Sequence, residues 1–248
     1  YFSSIRPENN GGKRNDKGLE DEVNGNYTAD IYTSSIIGGS WTESQLLPLV
    51  INDSRHNTVL GFSEAGDILY FFKGYTLDAG ESMVDTFSVD ETRTSWPAKA
   101  NLPFSTVQGD NFSYFFNDQI VLFASNRLPG GYGGFDLYIS KYLGDNQWSA
   151  PINLGSEINS PFDEVSPFLA KDGRTLYFSS NRAESLGGFD IFSTYFDDDS
   201  NLFQKAKNLG KPFNSPGDDI YFNIQAQGES AVFSSNREGT LGGLDIFE

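Results

Sequence analysis

Three arginines recur with the same neighbours. Phe123-Ala124-Ser125-Asn126-Arg127, Phe178-Ser179-Ser180-Asn181-Arg182 and Phe233-Ser234-Ser235-Asn236-Arg237 follow one another at intervals of 55 residues. A weaker copy opens the chain at Tyr1-Phe2-Ser3-Ser4-Ile5-Arg6. Converging guanidinium groups could bind a carboxylate ligand. At a fixed period, however, equivalent residues fall on successive units rather than in one pocket. An aspartate follows each arginine: Asp30, Asp136, Asp190 and Asp245. The second reading is therefore structural fastening, with Arg6–Asp30, Arg127–Asp136, Arg182–Asp190 and Arg237–Asp245 closing one loop per unit through fork-shaped pairing.

A second constellation is acidic. In phase with the repeat stand His56-Asn57, Asp110-Asn111, Asp163-Glu164 and Asp218-Asp219. If these ring one mouth of a central channel, Asp110, Asp163, Glu164, Asp218 and Asp219 converge, and like charges that close require a cation or protons. Oxygen donors of this kind would take calcium or magnesium. The competing reading is loop capping, a common use of Asp before a strand. No other cofactor is implied. His56 is the single histidine and no Cys exists, so neither a Ser-His-Asp triad nor a thiolate metal site can be assembled. Paired carboxylates could serve glycoside hydrolysis, but such a site would use unique acids, whereas these recur. No catalytic residue is assigned.

These residues need a scaffold that repeats. Aspartates at 30, 85, 136, 190 and 245 keep the beat, as do Trp41, Trp96, Trp148 and Phe203. Each unit reads as four short strands. In the best copy they cover about 164–170, 174–180, 189–196 and 202–208. Asp172-Gly173 signals a tight hairpin between the first two, and Asp197-Asp198-Asp199 a solvated turn between the last two. A period of this length means one supersecondary unit stacked many times. Four-stranded units around an axis are blades. The predicted fold class is all-β: a five-bladed β-propeller of antiparallel blades, at 1–48, 57–103, 110–155, 163–210 and 218–248. The phase predicts incomplete first and last blades, with the domain cut from a longer protein. Loops joining the second and third strands would share a face with those preceding each first strand.

The repeat fails informatively in one place. Between Arg6 and Asp30 lie 23 residues, with Lys13, Arg14 and Lys17 forming a basic spot on a chain of net charge −17. Either this is a tolerated insertion or it docks a partner. Tyr132, Phe162 and Tyr75 are the aromatic candidates for ligand contact. The glycines of Gly130-Gly131-Tyr132-Gly133-Gly134 read as positive-φ turn residues. The acidic charge argues against nucleic acid, and no apolar run is long enough to insert across a membrane.

Asp172 to Arg182, Pro129 to Tyr138 and Trp148 to Gly155 resemble TolB-type, WD40-like propeller repeats. The similarity extends to the propellers of PorE-like, OmpA-family peptidoglycan-associated lipoproteins of Bacteroidota, over essentially the whole chain. That resemblance implies a periplasmic, outer-membrane-associated protein without enzymatic activity, working as a protein-interaction scaffold in type IX secretion or gliding. Its partners would be other envelope or secretion-system proteins. Peptidoglycan would be bound only through domains outside this chain. The alternative from another class is a carbohydrate-binding or glycoside-hydrolase-like propeller using carboxylates at the channel mouth.

Overall fold

The computed structural model describes residues 1–15, 17–49, 51–62, 68–74, 83–88, 98–100, 111–117, 119–127, 129–145, 147–224, 228, 230–241 and 243–248. At Ile68, 83–88, 98–100 and 111–116 only the backbone is described. Asp110 and Tyr75 lie outside the described residues.

The fold is all-β, of β-propeller type, and its sheets are antiparallel meanders apart from one parallel pairing of Gly61 with Phe116. The best-defined blade runs Glu164–Leu169, Thr175–Ser180, Asp190–Asp197, then Leu202–Phe203 and Lys207–Asn208. The same order recurs in Ile120–Ser125, Asp136–Gly144, Gln147–Trp148 and Ile152–Asn153. It recurs again in Asp219–Ile224, Ala231–Ser235 and Asp245–Phe247. β-branched and aromatic residues at alternate positions form these strands because they fill a pleated, half-buried surface.

Two details differ from the sequence reading. The outermost strand is split in two. The Thr194 hydroxyl donates to the Gln204 carbonyl, and the Ala206 amide turns away to the Glu157 carbonyl. The Asp172-Gly173 connection is longer than a two-residue hairpin, for the Ala170 amide bonds the Thr175 carbonyl across four intervening residues. Asp172 organises that loop. It accepts from the Arg174 and Thr175 amides and the Thr175 hydroxyl.

The chain divides into two compact units. One comprises 1–105, 116–119 and 142–148, and the other 106–115, 120–141 and 149–248. In the first, Phe2–Ile5 pairs Ala29–Thr33, which pairs Gln45–Leu46, and Ile31, Ile51, Leu69 and Phe71 form its core. In the second, Leu122, Leu137, Ile158, Val165, Leu176, Phe178 and Phe192 pack between successive blades. Ile191, Phe222 and Phe233 extend that packing to the next blade. Blade faces thus bury apolar side chains against one another, which fixes the loops at their ends.

Candidate functional site

The Phe-Ser-Ser-Asn-Arg repeat resolves residue by residue. The arginine Nε donates to the hydroxyl of the serine two positions back in four copies: Arg6 to Ser4 (3.0 Å), Arg127 to Ser125 (3.0 Å), Arg182 to Ser180 (3.1 Å) and Arg237 to Ser235 (3.0 Å). The guanidinium then lies over two aromatic rings. Arg182 sits 5.2 Å from the Phe178 centroid and 4.8 Å from that of Phe192. Arg6, Arg127 and Arg237 do the same over Phe2/Tyr32, Phe123/Tyr138 and Phe233/Phe247. Cation–π contact on a stacked ring pair therefore explains why Phe opens the motif and an aromatic residue ends the next one.

The acids that meet Arg182 and Arg237 are not the ones expected. Arg182 pairs with Glu164 at 2.9 Å and Arg237 with Asp219 at 2.7 Å. Asp190 instead accepts from the Leu186 amide (2.8 Å) and the Asn208 side chain (2.7 Å). Asp136 accepts from Tyr132 and Asn153 in the same way, and Asp245 from Leu241. Asp30 accepts from the Asn10 amide and the Asn57 side chain, while Arg6 turns to the Ser44 hydroxyl. The reason is geometric. The aspartate begins the third strand and folds back over its own loop, whereas the guanidinium is drawn across the ring pair toward the first strand. At Arg182 and Arg237 the ion pair is thus made with the acid of the first strand, not with Asp190 or Asp245. Burial pushes the Glu164 carboxyl above its ordinary range despite the Ser160 hydrogen bonds and Arg182. Burial likewise raises Asp30.

The four described acids before the first strands do not converge on a shared point. Asp163 accepts from the Phe135 amide of the preceding blade (2.9 Å) and from Asn181 (3.0 Å). Asp218 does the same with Phe189 and Asn236. Glu164 takes the Ser160 amide and hydroxyl and the Ser180 hydroxyl, and Asp219 the Ser215 amide and hydroxyl. Every one is a loop cap. Among the described residues no three His, Cys, Asp or Glu side chains are grouped to hold a metal ion. His56 occupies the Asp163 position and does the same work, its Nδ1 accepting from the Ala29 amide at 3.0 Å. Asn57 stands where Glu164 stands and gives Asp30 a neutral donor instead.

Sequence reasoning missed the asparagines that tie one blade to the next. Asn159 accepts from the Leu137 amide (2.8 Å) and donates to its carbonyl (3.0 Å). Asn52 clamps Ile31 and Asn214 clamps Ile191 identically. The signal lay in Ile51-Asn52, Ile158-Asn159 and Phe213-Asn214, each an apolar residue followed by Asn. Gly130 has the expected positive φ (+113°), but the paired glycines have another use. A Cβ on Gly187 would run into the backbone of Pro216, and one on Gly133 into Ser160 to Phe162, so close approach of loops requires glycine there.

The long first loop is a built ribbon. Lys13–Arg14 pairs Asn26–Tyr27. Arg14 is turned inward, donating to the Ser54 and Gly18 carbonyls, and Lys13 lies over Tyr27. Only Lys17 of the three basic residues points freely outward, so the ribbon presents Leu19 and Val23 rather than a basic spot. The loops that carry Tyr132 and Phe162 are neighbours. They are joined by the Gly134 amide on the Phe162 carbonyl (3.2 Å), and both rings are about half exposed. Leu186 and Leu241 repeat the Tyr132 position and are exposed too. Each gives its amide to an aspartate, which forces its side chain outward.

No protein-family model and no curated protein matches the sequence. Solved structures do. The tricorn protease structure aligns at TM-score 0.50 with 17% identity, over 89% of this chain and 19% of that one. TolB from Acinetobacter baumannii aligns at TM-score 0.46 with 12% identity, over 83% of this chain and 43% of that one. A putative TolB from Agrobacterium tumefaciens aligns at 0.45 with 16% identity, over 81% and 76%. The chain thus spans less than half of the Acinetobacter protein. At these identities the likeness concerns fold alone.

Proposed function

We propose that this chain is a non-enzymatic protein-interaction scaffold, a five-bladed propeller within a longer envelope protein that is periplasmic and associated with the outer membrane. Secretion or gliding components are the partners that the repeat resemblance suggests. One observation carries the reading: the recurring carboxylates on the loop face have donors of the chain's own fold on them, while Tyr132, Phe162, Leu186 and Leu241 are left outward on fastened loops. Asp163, Glu164, Asp218 and Asp219, with both oxygens engaged by donors of the fold, are poor general acids or nucleophiles. Rigid, exposed aromatic and aliphatic residues suit protein contact, where a few anchors dominate affinity.

The test replaces Tyr132 and Phe162 by serine in the full-length protein and recovers partners by affinity capture from envelope fractions. Loss of specific partners with an unchanged melting temperature supports the scaffold. Hydrolysis of aryl glycosides or oligosaccharides, abolished by Asp163→Asn or Asp218→Asn without loss of folding, would replace it with the carbohydrate-active alternative.

A further inference from the structure

The hairpin joining the last two strands of the first blade breaks the repeat. Strand register makes the comparison direct. Phe196 pairs Phe203, Tyr142 pairs Trp148, and Ile36 pairs Trp41. In the two later blades this pair is aromatic on aromatic, with centroids 5.2 Å apart. In the first blade Ile36 is 45% and Trp41 51% exposed. One step nearer the tip, the later blade sets a charged Asp197 opposite an exposed Leu202, whereas the first has Ile37 opposite the uncharged Ser40. Ile37 is 70% exposed.

The tips differ in charge as well. Asp197-Asp198-Asp199 closes one later hairpin and Asp145 lies in the other. The first blade closes on Gly38-Gly39, at φ +61° and +82°, the two-residue turn that only positive φ permits. From Ile31 to Thr42 there are twelve residues without a charge, on a chain that is 21% charged.

Apolar groups lie on both faces of this ribbon. Residues paired across strands share a face, so Ile36 and Trp41 stand on one side and Ile37 on the other. A flat protein surface would cover one side only. The boundary between lipid headgroups and acyl chains surrounds a narrow convex tip on both sides, and it is where Trp partitions. The ribbon also brings few open polar groups with it. The Thr42 amide bonds the Ser35 carbonyl at 2.8 Å, and the Ser34 hydroxyl bonds the Thr42 carbonyl at 2.6 Å.

We propose that residues 36–41 are a lipid-contacting tip that dips into the interface of a zwitterionic bilayer without spanning it. The net charge of −17 disfavours anionic surfaces. Three side chains bind more weakly than one myristoyl chain, whose constant is about 10⁴ M⁻¹. The tip is therefore a second foothold for a protein held near a membrane by other means.

The experiment uses phosphatidylcholine vesicles at millimolar lipid. In a Trp96→Phe/Trp148→Phe background, Trp41 is the remaining tryptophan, and its emission should shift to shorter wavelength as lipid is added. Sedimentation of the otherwise unaltered chain should show a partition constant that Ile37→Asp lowers by about tenfold, with the melting temperature unchanged. An unmoved Trp41 emission, or Ile37→Asp partitioning as strongly as the parent, overturns the proposal. So does loss of a captured envelope protein in Ile37→Asp when the parent ignores vesicles, since the tip then reads protein.

Discussion

Replacing Asn159 by alanine tests what holds neighbouring blades together. Its side chain is buried and makes three short hydrogen bonds, two to the Leu137 backbone and one of 2.8 Å to Asn153 Oδ1. Leu137 is fully buried, so no water replaces the lost partner. Alanine leaves the Leu137 N–H orphaned in the core, while the Leu137 carbonyl keeps the Leu154 amide as its donor. An orphaned buried donor costs about 1–3 kcal/mol, and about 2 kcal/mol is expected. For a chain of this size that lowers the melting temperature by roughly 4–8 °C. Urea unfolding followed by circular dichroism reads the loss directly. Asn159→Asp is the stringent companion. It keeps the acceptor for the Leu137 amide but turns an oxygen toward the Leu137 carbonyl, so it should cost at least as much. Ser200→Ala, in an exposed turn, is the control. A loss for Asn159→Ala within about 0.5 kcal/mol of that control would refute the clamp, because surface changes stay in that range.

Other perturbations bear on the fastening. Arg182→Leu strands the buried Glu164 carboxylate and should cost about 3–5 kcal/mol by chemical denaturation; a smaller cost than for Arg174→Leu, on an exposed arginine, would contradict it. His56→Asp supplies the acceptor used at the equivalent positions and should unfold close to the parent, whereas His56→Leu leaves the Ala29 amide bare and should lose about 1–3 kcal/mol. Glu164 gives a pH signature. Its raised folded pKa makes a contribution that is complete below the unfolded value and is lost as pH rises through the folded one. From pH 4 to pH 7 the parent should therefore lose stability relative to Glu164→Gln, and a relative gain would reverse the assignment.

The fold was legible because apolar residues, turn residues and the Phe-Ser-Ser-Asn-Arg string share one period. The all-β propeller class followed from strand length and spacing alone. Partners were harder to read. The sequence places Asp190 eight residues after Arg182, yet the guanidinium is captured by two aromatic rings and led to Glu164, which is eighteen residues back but adjacent across the sheet. Cross-strand neighbours are invisible to spacing along the chain. The same limit hid Asn159, whose partner lies 22 residues earlier. Arg14 shows a further limit. Composition made it part of a basic surface, whereas the turn at Gly18 and the Ser54 carbonyl draw it inward. Exposure is decided by such local acceptors, not by charge.

The caps at Asp163, Asp218 and His56 all reach backwards, to an amide at the start of the third strand of the preceding blade. A blade's own strands therefore do not finish it. Its loop is completed by a residue that the chain has yet to supply, one period later. During synthesis each blade would leave the ribosome with that amide open and close only when its successor arrives. Order would spread along the chain in steps of one junction, and a fault in one blade would first be felt in the blade before it.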